Sequence, residues 1–367
     1  MASSAAGDVA PDPLPTVVPA ISPDSHASDD EADETNETMS LTDSVVDYPE
    51  EWGRRFHKYK EGSYYFPNDD PEQERIQHSY WAIQSLLRYH GVSIYSAPLD
   101  NPRSVLDVGT GTGQWPLDMA EMFPHANITG IDLSPIQPRE VPENVFFEIQ
   151  DCSESDWARP LASMDYIRSS IMLGSLSSFS TFVQTAKRYL KPGTGWLECH
   201  ELNLGPFSDD NTIPERWPFA TCVGFSKEAM ALAGRPMDIA DKIAKWMREA
   251  GLVDVTEHIY KMPLNPWPRD PLLKQIGKMW EANIYEGLPA FTYKPFGAGL
   301  GWSRTQVETF LADVRKAIRD RHVHSYQQIH VVYGRRPSPE EDRAVHVMPA
   351  PPPWYRRFRP GRRRWRG

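Results

Sequence analysis

Alternating strand and helix signals predict an α/β fold, a doubly wound and mainly parallel sheet of seven strands, with an aromatic-rich helical cap and disordered termini. Three observations carry this expectation. A short β-branched run at 104–108 enters three closely spaced glycines and then a helical pattern. Strand-like and helix-like segments then alternate through residue 202, the rhythm of βαβ units with right-handed crossovers. A late pair of strands, near 253–261 and 328–333, completes the count of seven.

The elements follow in order. Residues 70–90 place apolar side chains at helical spacing, with Asp70 and Pro71 as N-cap and first turn. Strand 104–108 leads to a helix over 115–123, and strands follow at 128–133, 145–151 and 165–170. A helix over 179–190 stops at Lys191-Pro192-Gly193, and the fifth strand spans 196–202. Beyond it the pattern predicts helices near 239–250, stopped by Gly251, and near 272–285 and 305–319. The cap is assigned to about 203–325, where Trp217, Trp267, Trp280 and Trp302 gather with several Phe and Tyr residues. Such a cap suits a flat or apolar acceptor, plain core packing or a protein-binding face equally.

The formal net charge of −11 over 367 residues is a sum of unlike parts. Residues 1–50 hold twelve acids and no Lys or Arg; they are rich in Ser, Pro, Ala and Asp and read as a disordered acidic tail. Residues 335–367 hold ten arginines against three acids, and 338–367 read as a disordered Pro/Arg-rich basic tail. The domain between, 51–337, is mildly acidic, which argues against direct nucleic-acid binding except through the basic tail. Arg356, Arg357 and Arg359, with Arg362, Arg363, Arg364 and Arg366, read as a nuclear import signal or an anionic-surface patch. Three cysteines without a CxxC pair support neither a disulfide framework nor a zinc site, and no metal is expected. With no basic-then-apolar leader and no apolar run of about 18 residues, the expected location is intracellular, in nucleus or cytoplasm, away from membrane.

The chemistry concentrates at Val105-Leu-Asp107-Val-Gly109-Thr-Gly111-Thr-Gly113-Gln-Trp115. Glycines let backbone approach a ligand and turn tightly, though many purely structural turns share three alternate glycines. Two further features favour a ligand. Asp132 ends the next strand, where a carboxylate can accept ribose hydroxyl protons. The GxGxG spacing departs from the dinucleotide GxGxxG, whose helix N-terminus faces a pyrophosphate. A site with less room for pyrophosphate suits S-adenosylmethionine, which has no phosphate, and Asp151 at the end of the third strand is placed for the adenine amino group. The pattern therefore predicts a Rossmann-like class I methyltransferase.

The motifs VLDVGTGTGQW, GIDLSPIQP, EIQD and LKPGTGWLE resemble the successive cofactor motifs of S-adenosylmethionine-dependent methyltransferases. FPNDDPEQERIQH (66–78), DLSPIQP (132–138), PLNPW (263–267) and HSYQQIH (324–330) narrow the resemblance to the fungal LaeA-like methyltransferases, regulators of secondary metabolism and development that work with velvet-family proteins. The resemblance spans about 52–337 and excludes both tails. It implies that Gly109, Gly111 and Gly113 line the methionine part of the cofactor, with Asp107 ordering their loop. It further implies that Asp132, with Leu133, holds the ribose, that Asp151 and Cys152 flank adenine, and that Ser169 and Ser170 border the sulfonium. Thr194 interrupts the Gly-Gly usual after LKP, a change confined to a turn.

Methyl transfer needs a general base only where the acceptor must lose a proton. His200, near the end of the fifth strand with Glu201, is the catalytic candidate on the acceptor side, although a satisfied strand-end histidine is the commoner role for such a residue. His324 and His330 read as structural residues, while His78 on the first helix either touches the cofactor carboxylate or is an ordinary helix-face residue. Tyr64, Tyr65 and Phe66 either fold over the cofactor or staple the first helix. Three functions stay open at this level: a LaeA-like regulator with velvet-type partners, a pathway enzyme acting on a small metabolite, and a cofactor-fold binding module without turnover.

Overall fold

The computed structural model describes residues 48–60 and 64–346. One sheet holds seven strands in the order β5-β4-β3-β6-β7-β9-β8. These are β3 (Ser104–Val108), β4 (Asn127–Asp132), β5 (Val145–Ile149), β6 (Tyr166–Ser170), β7 (Trp196–Phe207), β8 (Val253–Pro263) and β9 (Tyr326–Arg335). Every neighbouring pair is parallel except those made by β9, which runs antiparallel to both β7 and β8. The order reverses beside β3, and such a switch point opens a crevice at the carboxyl ends of the strands. β3 and β6 are buried almost throughout, so the polar residues they carry, Asp107 on β3 and Arg168 and Ser169 on β6, are buried with them.

Helix α1 (Asp70–Tyr89) is capped by Asp69, one residue earlier than the expected Asp70. Asp69 takes this role because β2 (Arg54–Arg55), hairpinned with β1 (Glu50–Glu51), brings Arg54 onto the same carboxylate at 2.7 Å. The hairpin was not legible, its strands being two residues each. Helix α2 (Gln114–Met122) starts at Gly113, and α3 (Phe179–Tyr189) at Ser178, whose hydroxyl accepts the Thr181 N–H. Helix α5 (Ile243–Glu249) packs against the sheet beside α3.

The cap departs from expectation in three ways. Helix α4 (Pro218–Leu232) has apolar residues all around its axis, so no stripe announced it. Helix α6 (Pro271–Lys294) runs nine residues past the expected end at 285, through Pro289. Packing of its Trp280, Ile284 and Leu288 face, and of the whole helix on α1, outweighs the lost backbone bond. The expected range 203–325 also proves discontinuous, since α5 and β8 inside it return to the sheet. A π-helical turn, Pro295–Gly299, joins α6 to α7 (Arg304–Ile318), which opens with a capping box between Ser303 and Gln306.

The basic-tail boundary at 338 is also corrected. Helix α8 spans Pro339–His346, with Ser338 capping Glu341 and Arg335 gripping the Glu341 carboxylate at 2.8 and 3.0 Å. Order therefore continues past the expected end of the domain, because Glu341 in this helix is held by Arg335 at the end of β9. The acidic tail before Tyr48 and the arginine runs after His346 lie outside the described residues. Among the described residues, no helix is long and apolar enough to cross a membrane, and no cluster of His, Cys, Asp or Glu could hold a metal.

Candidate active site

A cavity of about 270 Å³ opens at the carboxyl ends of β3, β4 and β6 and continues beneath α1, α4 and α6. Its first half is the glycine loop and the strand-end acids. Gly109 has φ +70°, and a Cβ there would stand 2.3 Å from the Met172 sulfur. Gly111, at φ +57°, lies on the wall and donates its N–H to Asp132 Oδ2 at 2.9 Å. Gly113 does something else. It begins α2 off the wall, and its missing Cβ makes room for the Phe147 ring, 2.5 Å from where that atom would be.

Asp107 faces the wall yet is committed to the protein: Oδ2 accepts the Thr110 hydroxyl at 2.8 Å, and Oδ1 accepts from Arg168 at 2.7 Å. The Arg168 guanidinium lies over Trp115, 4.6 Å from the ring centre. Asp132 and Leu133 line the cavity; the Asp132 carboxylate also accepts the Ser134 N–H at 3.0 Å, and burial pushes its pKa up to about 6. Gln137, which no expectation singled out, ties Gly111 O and Ser134 O together at 2.7 and 3.0 Å. Its position inside DLSPIQP was the available signal.

Asp151 and Cys152 lie on the wall as well. Burial raises the Asp151 carboxyl, but the bonds from Ser153 and Lys60 prevail and hold it below its ordinary value. Lys60 Nζ sits 2.9 Å from Asp151 Oδ2, so the segment before α1 is pinned across this end of the site. Burial pushes the Cys152 thiol up to about 12, leaving it neutral. Ser170 lines the cavity, whereas Ser169 is buried off the wall.

The second half is walled by Phe66, Ile83, Phe219, Val223, Ile284 and Leu288. Its arginine and indole are engaged by the protein, while Gln84 Nε2 and Asn68 Oδ1 on the cavity wall have no partner among the described residues. Arg75 spends Nε and Nη2 on Glu72 at 3.0 and 2.7 Å and Nη1 on Asn283 at 2.8 Å, with its guanidinium over Phe291. Trp280 donates to Gln327 at 2.8 Å, and Gln327 donates to Leu204 O at 3.0 Å. Tyr64 lines the same wall, its phenol pushed above its ordinary pKa by burial.

His200 does not reach this cavity. It is fully buried in β7, with Nε2 2.6 Å from Glu198 Oε1, and Glu198 in turn accepts the Ser96 and Ala97 N–H groups. The expected catalytic role is corrected on that geometry, since a base must reach the proton it takes. Among the described residues no histidine lines the wall: His78 is exposed near Glu286, His324 bonds Asp210, and His330 bonds Glu257.

The donor set fits S-adenosylmethionine. The wall's arginines, Arg75, Arg168 and Arg235, are each engaged by the protein, which leaves no cluster of free cations for a pyrophosphate. Strand-end carboxylates and a glycine cradle at Gly111 suit ribose, adenine and a cationic sulfonium instead. A family model described as a methyltransferase domain matches residues 79–257. The fold and site therefore define an S-adenosylmethionine-dependent methyltransferase.

The relatives narrow the class. The chain is 36% identical over 307 residues to methyltransferase pytC of Aspergillus terreus, covering 83% of this chain and 93% of pytC. It is 34% identical over 288 residues to the secondary metabolism regulator LAE1 of Cochliobolus heterostrophus, covering 78% and 94%. Among solved structures, phosphoethanolamine N-methyltransferase 2 of Haemonchus contortus aligns with a TM-score of 0.42 at 15% identity, over 70% of this chain and 52% of that one. The chain belongs to the LaeA-like methyltransferase family.

Proposed function

We propose that this enzyme methylates a small, largely apolar acceptor of secondary metabolism. The observation that carries the reading is the second half of the cavity: largely apolar walls closed over by α1 and α6 and continuous with the cofactor half. The relative pytC, a methyltransferase by name, supports a pathway role.

The proposed division of labour follows from the wall. Asp132 accepts from the ribose hydroxyls, Asp151 and Cys152 flank adenine, and the Gly109–Gly111 backbone borders the methionine portion beside Ser170. When bound, S-adenosylmethionine supplies an electrophilic methyl group on a sulfonium. The chain's own residues then position the acceptor and exclude water, which is where most of the acceleration of such a displacement arises. Tyr64, Phe66 and α1 close one side, and Trp280, Ile284 and Phe291 close the other.

Metabolite profiling of a deletion strain tests this. One accumulating compound, methylated by the purified enzyme, is the expected result; broad change across many compounds would overturn it. The latter outcome would favour a second reading, a LaeA-like regulator acting in the nucleus with velvet-type partners. That reading is supported by 34% identity across nearly the whole of LAE1.

A further inference from the structure

The turn that follows β6 is strained. Ile171 has φ +53°, a left-handed conformation that a β-branched side chain rarely adopts. Strain of this kind persists only where surrounding contacts over-determine it. Here the contacts can be named. Ile171 N–H donates to His200 O at 2.8 Å, and Met172 N–H donates to Glu201 Oε1 at 2.7 Å. Ser175 N–H closes the turn on Met172 O at 3.0 Å, and Arg235 holds Ser175 O at 2.6 Å.

Glu201 is the side chain in this set that no function has absorbed. It is fully buried in β7, and its second oxygen, Oε2, has no partner among the described residues. Burying a carboxyl with one oxygen unsatisfied is costly, and nothing about the sheet itself requires an acid at this position. The turn it holds is functional wall: Ile171, Met172 and Leu173 all line the cavity. Met172 also fills the space beside Gly109, so its placement sets the gap between the turn and the glycine loop.

We propose that Glu201 is a positioning residue of the methyl-transfer site, latching the strained turn through Met172 N–H and so fixing the wall that borders the sulfonium. This rests on the cofactor reading above. Glu201 touches no substrate; it acts through Met172. Burial pushes the Glu201 carboxyl up to about 8, so near neutral pH it meets the Met172 N–H mainly as an uncharged acceptor, a role that an amide oxygen can also fill.

The test uses the full chain and two probes, S-adenosylmethionine and S-adenosylhomocysteine, which differ by the methyl and its charge. Glu201→Leu removes the acceptor, Glu201→Gln keeps a carbonyl oxygen, and Ile171→Gly removes the strain. In Glu201→Leu, hydrogen exchange of the 170–176 segment should quicken by about tenfold, and S-adenosylmethionine binding should weaken by about tenfold, the equivalent of one lost bond. S-adenosylhomocysteine affinity should stay within about threefold. Glu201→Gln should stay close to the natural chain in all three measurements. In an Ile171→Gly background the effect of Glu201→Leu should shrink, since glycine adopts the turn unaided.

Equal effects in both backgrounds, a Gln variant as damaged as Leu, or equal loss of both ligands would overturn the proposal. Failure of Glu201→Leu to fold in both backgrounds would also overturn it, marking a core group in place of a latch. If the natural chain binds neither ligand, the cofactor reading fails instead, and the two failures are thereby told apart.

Discussion

Arg168 on β6 and Asp107 on β3 are register partners in the sheet, joined at 2.7 Å with both side chains almost wholly buried. The second oxygen of Asp107 holds Thr110, so this ion pair fastens the glycine loop to the sheet beneath it. Breaking a buried pair from one side leaves an uncompensated charge, which costs about 3–5 kcal/mol. Arg168→Met should therefore lower the melting temperature by several degrees and weaken S-adenosylhomocysteine binding. Arg168→Lys should not restore either, because a lysine lacks the planar group that lies over Trp115. Adding Asp107→Leu to Arg168→Met should recover stability without recovering binding; thermal melts and calorimetry on the three variants check this.

The glycines of one motif should behave differently. Gly113→Ala places a Cβ against Phe147 in a left-handed backbone, a conformational penalty of about 1–2 kcal/mol before any clash. Phe147→Ala in the same chain should relieve the steric part and leave the backbone part. Gly111→Ala carries the same backbone penalty, at φ +57°, and should in addition weaken cofactor binding, since Gly111 lies on the wall. Denaturant unfolding paired with ligand titration separates the two.

His200 should prove a stability residue. His200→Gln disturbs the bond to Glu198 inside the sheet, an expected loss of about 1–3 kcal/mol. Methyl transfer by the folded variant should fall by less than about threefold, where removal of a general base would cost about 10²–10⁴-fold. A loss in the latter range would return His200 to the catalytic machinery.

Cofactor binding should depend on pH through Asp132. Its carboxyl is pushed up to about 6, and the ionised form is the one that accepts ribose hydroxyls. Affinity for S-adenosylhomocysteine should therefore decline as pH falls through 6, and Asp132→Asn should bind more weakly with a flatter profile. For folding of the empty enzyme the sign is reversed. A carboxyl raised above its unfolded value stabilises most below that value, and this contribution is lost as pH rises through about 6. Calorimetry from pH 5 to 8 on both chains measures the first effect.

The sheet was legible because βαβ units state themselves through alternating composition, and the acids because Asp132 ends a recognisable strand and Asp151 follows one by two residues. What escaped depended on contacts distant in sequence. Lys60 reaches Asp151 across 91 positions, and Arg75 reaches Asn283 across 208, so neither could be paired from local pattern. Helix α4 carried no periodic stripe, and α6 overran Pro289 because tertiary packing overrides propensity. At Gly113 and Ser169 the motif was read correctly, but residue order alone cannot say which members face the ligand. His200 failed for another reason: β7 runs on to Phe207, so the residue lies inside the strand, where its ring bonds Glu198 away from the cavity wall.

The glycine loop and Asp132 together form the proposed site for S-adenosylmethionine. Isothermal titration of the full chain with S-adenosylhomocysteine tests it most directly, beside Gly111→Asp as the blocked control. The account predicts saturable binding of one ligand per chain, abolished by Gly111→Asp in a variant that still melts cooperatively. Absence of binding by the natural chain, or binding that the substitution leaves unchanged, would contradict it.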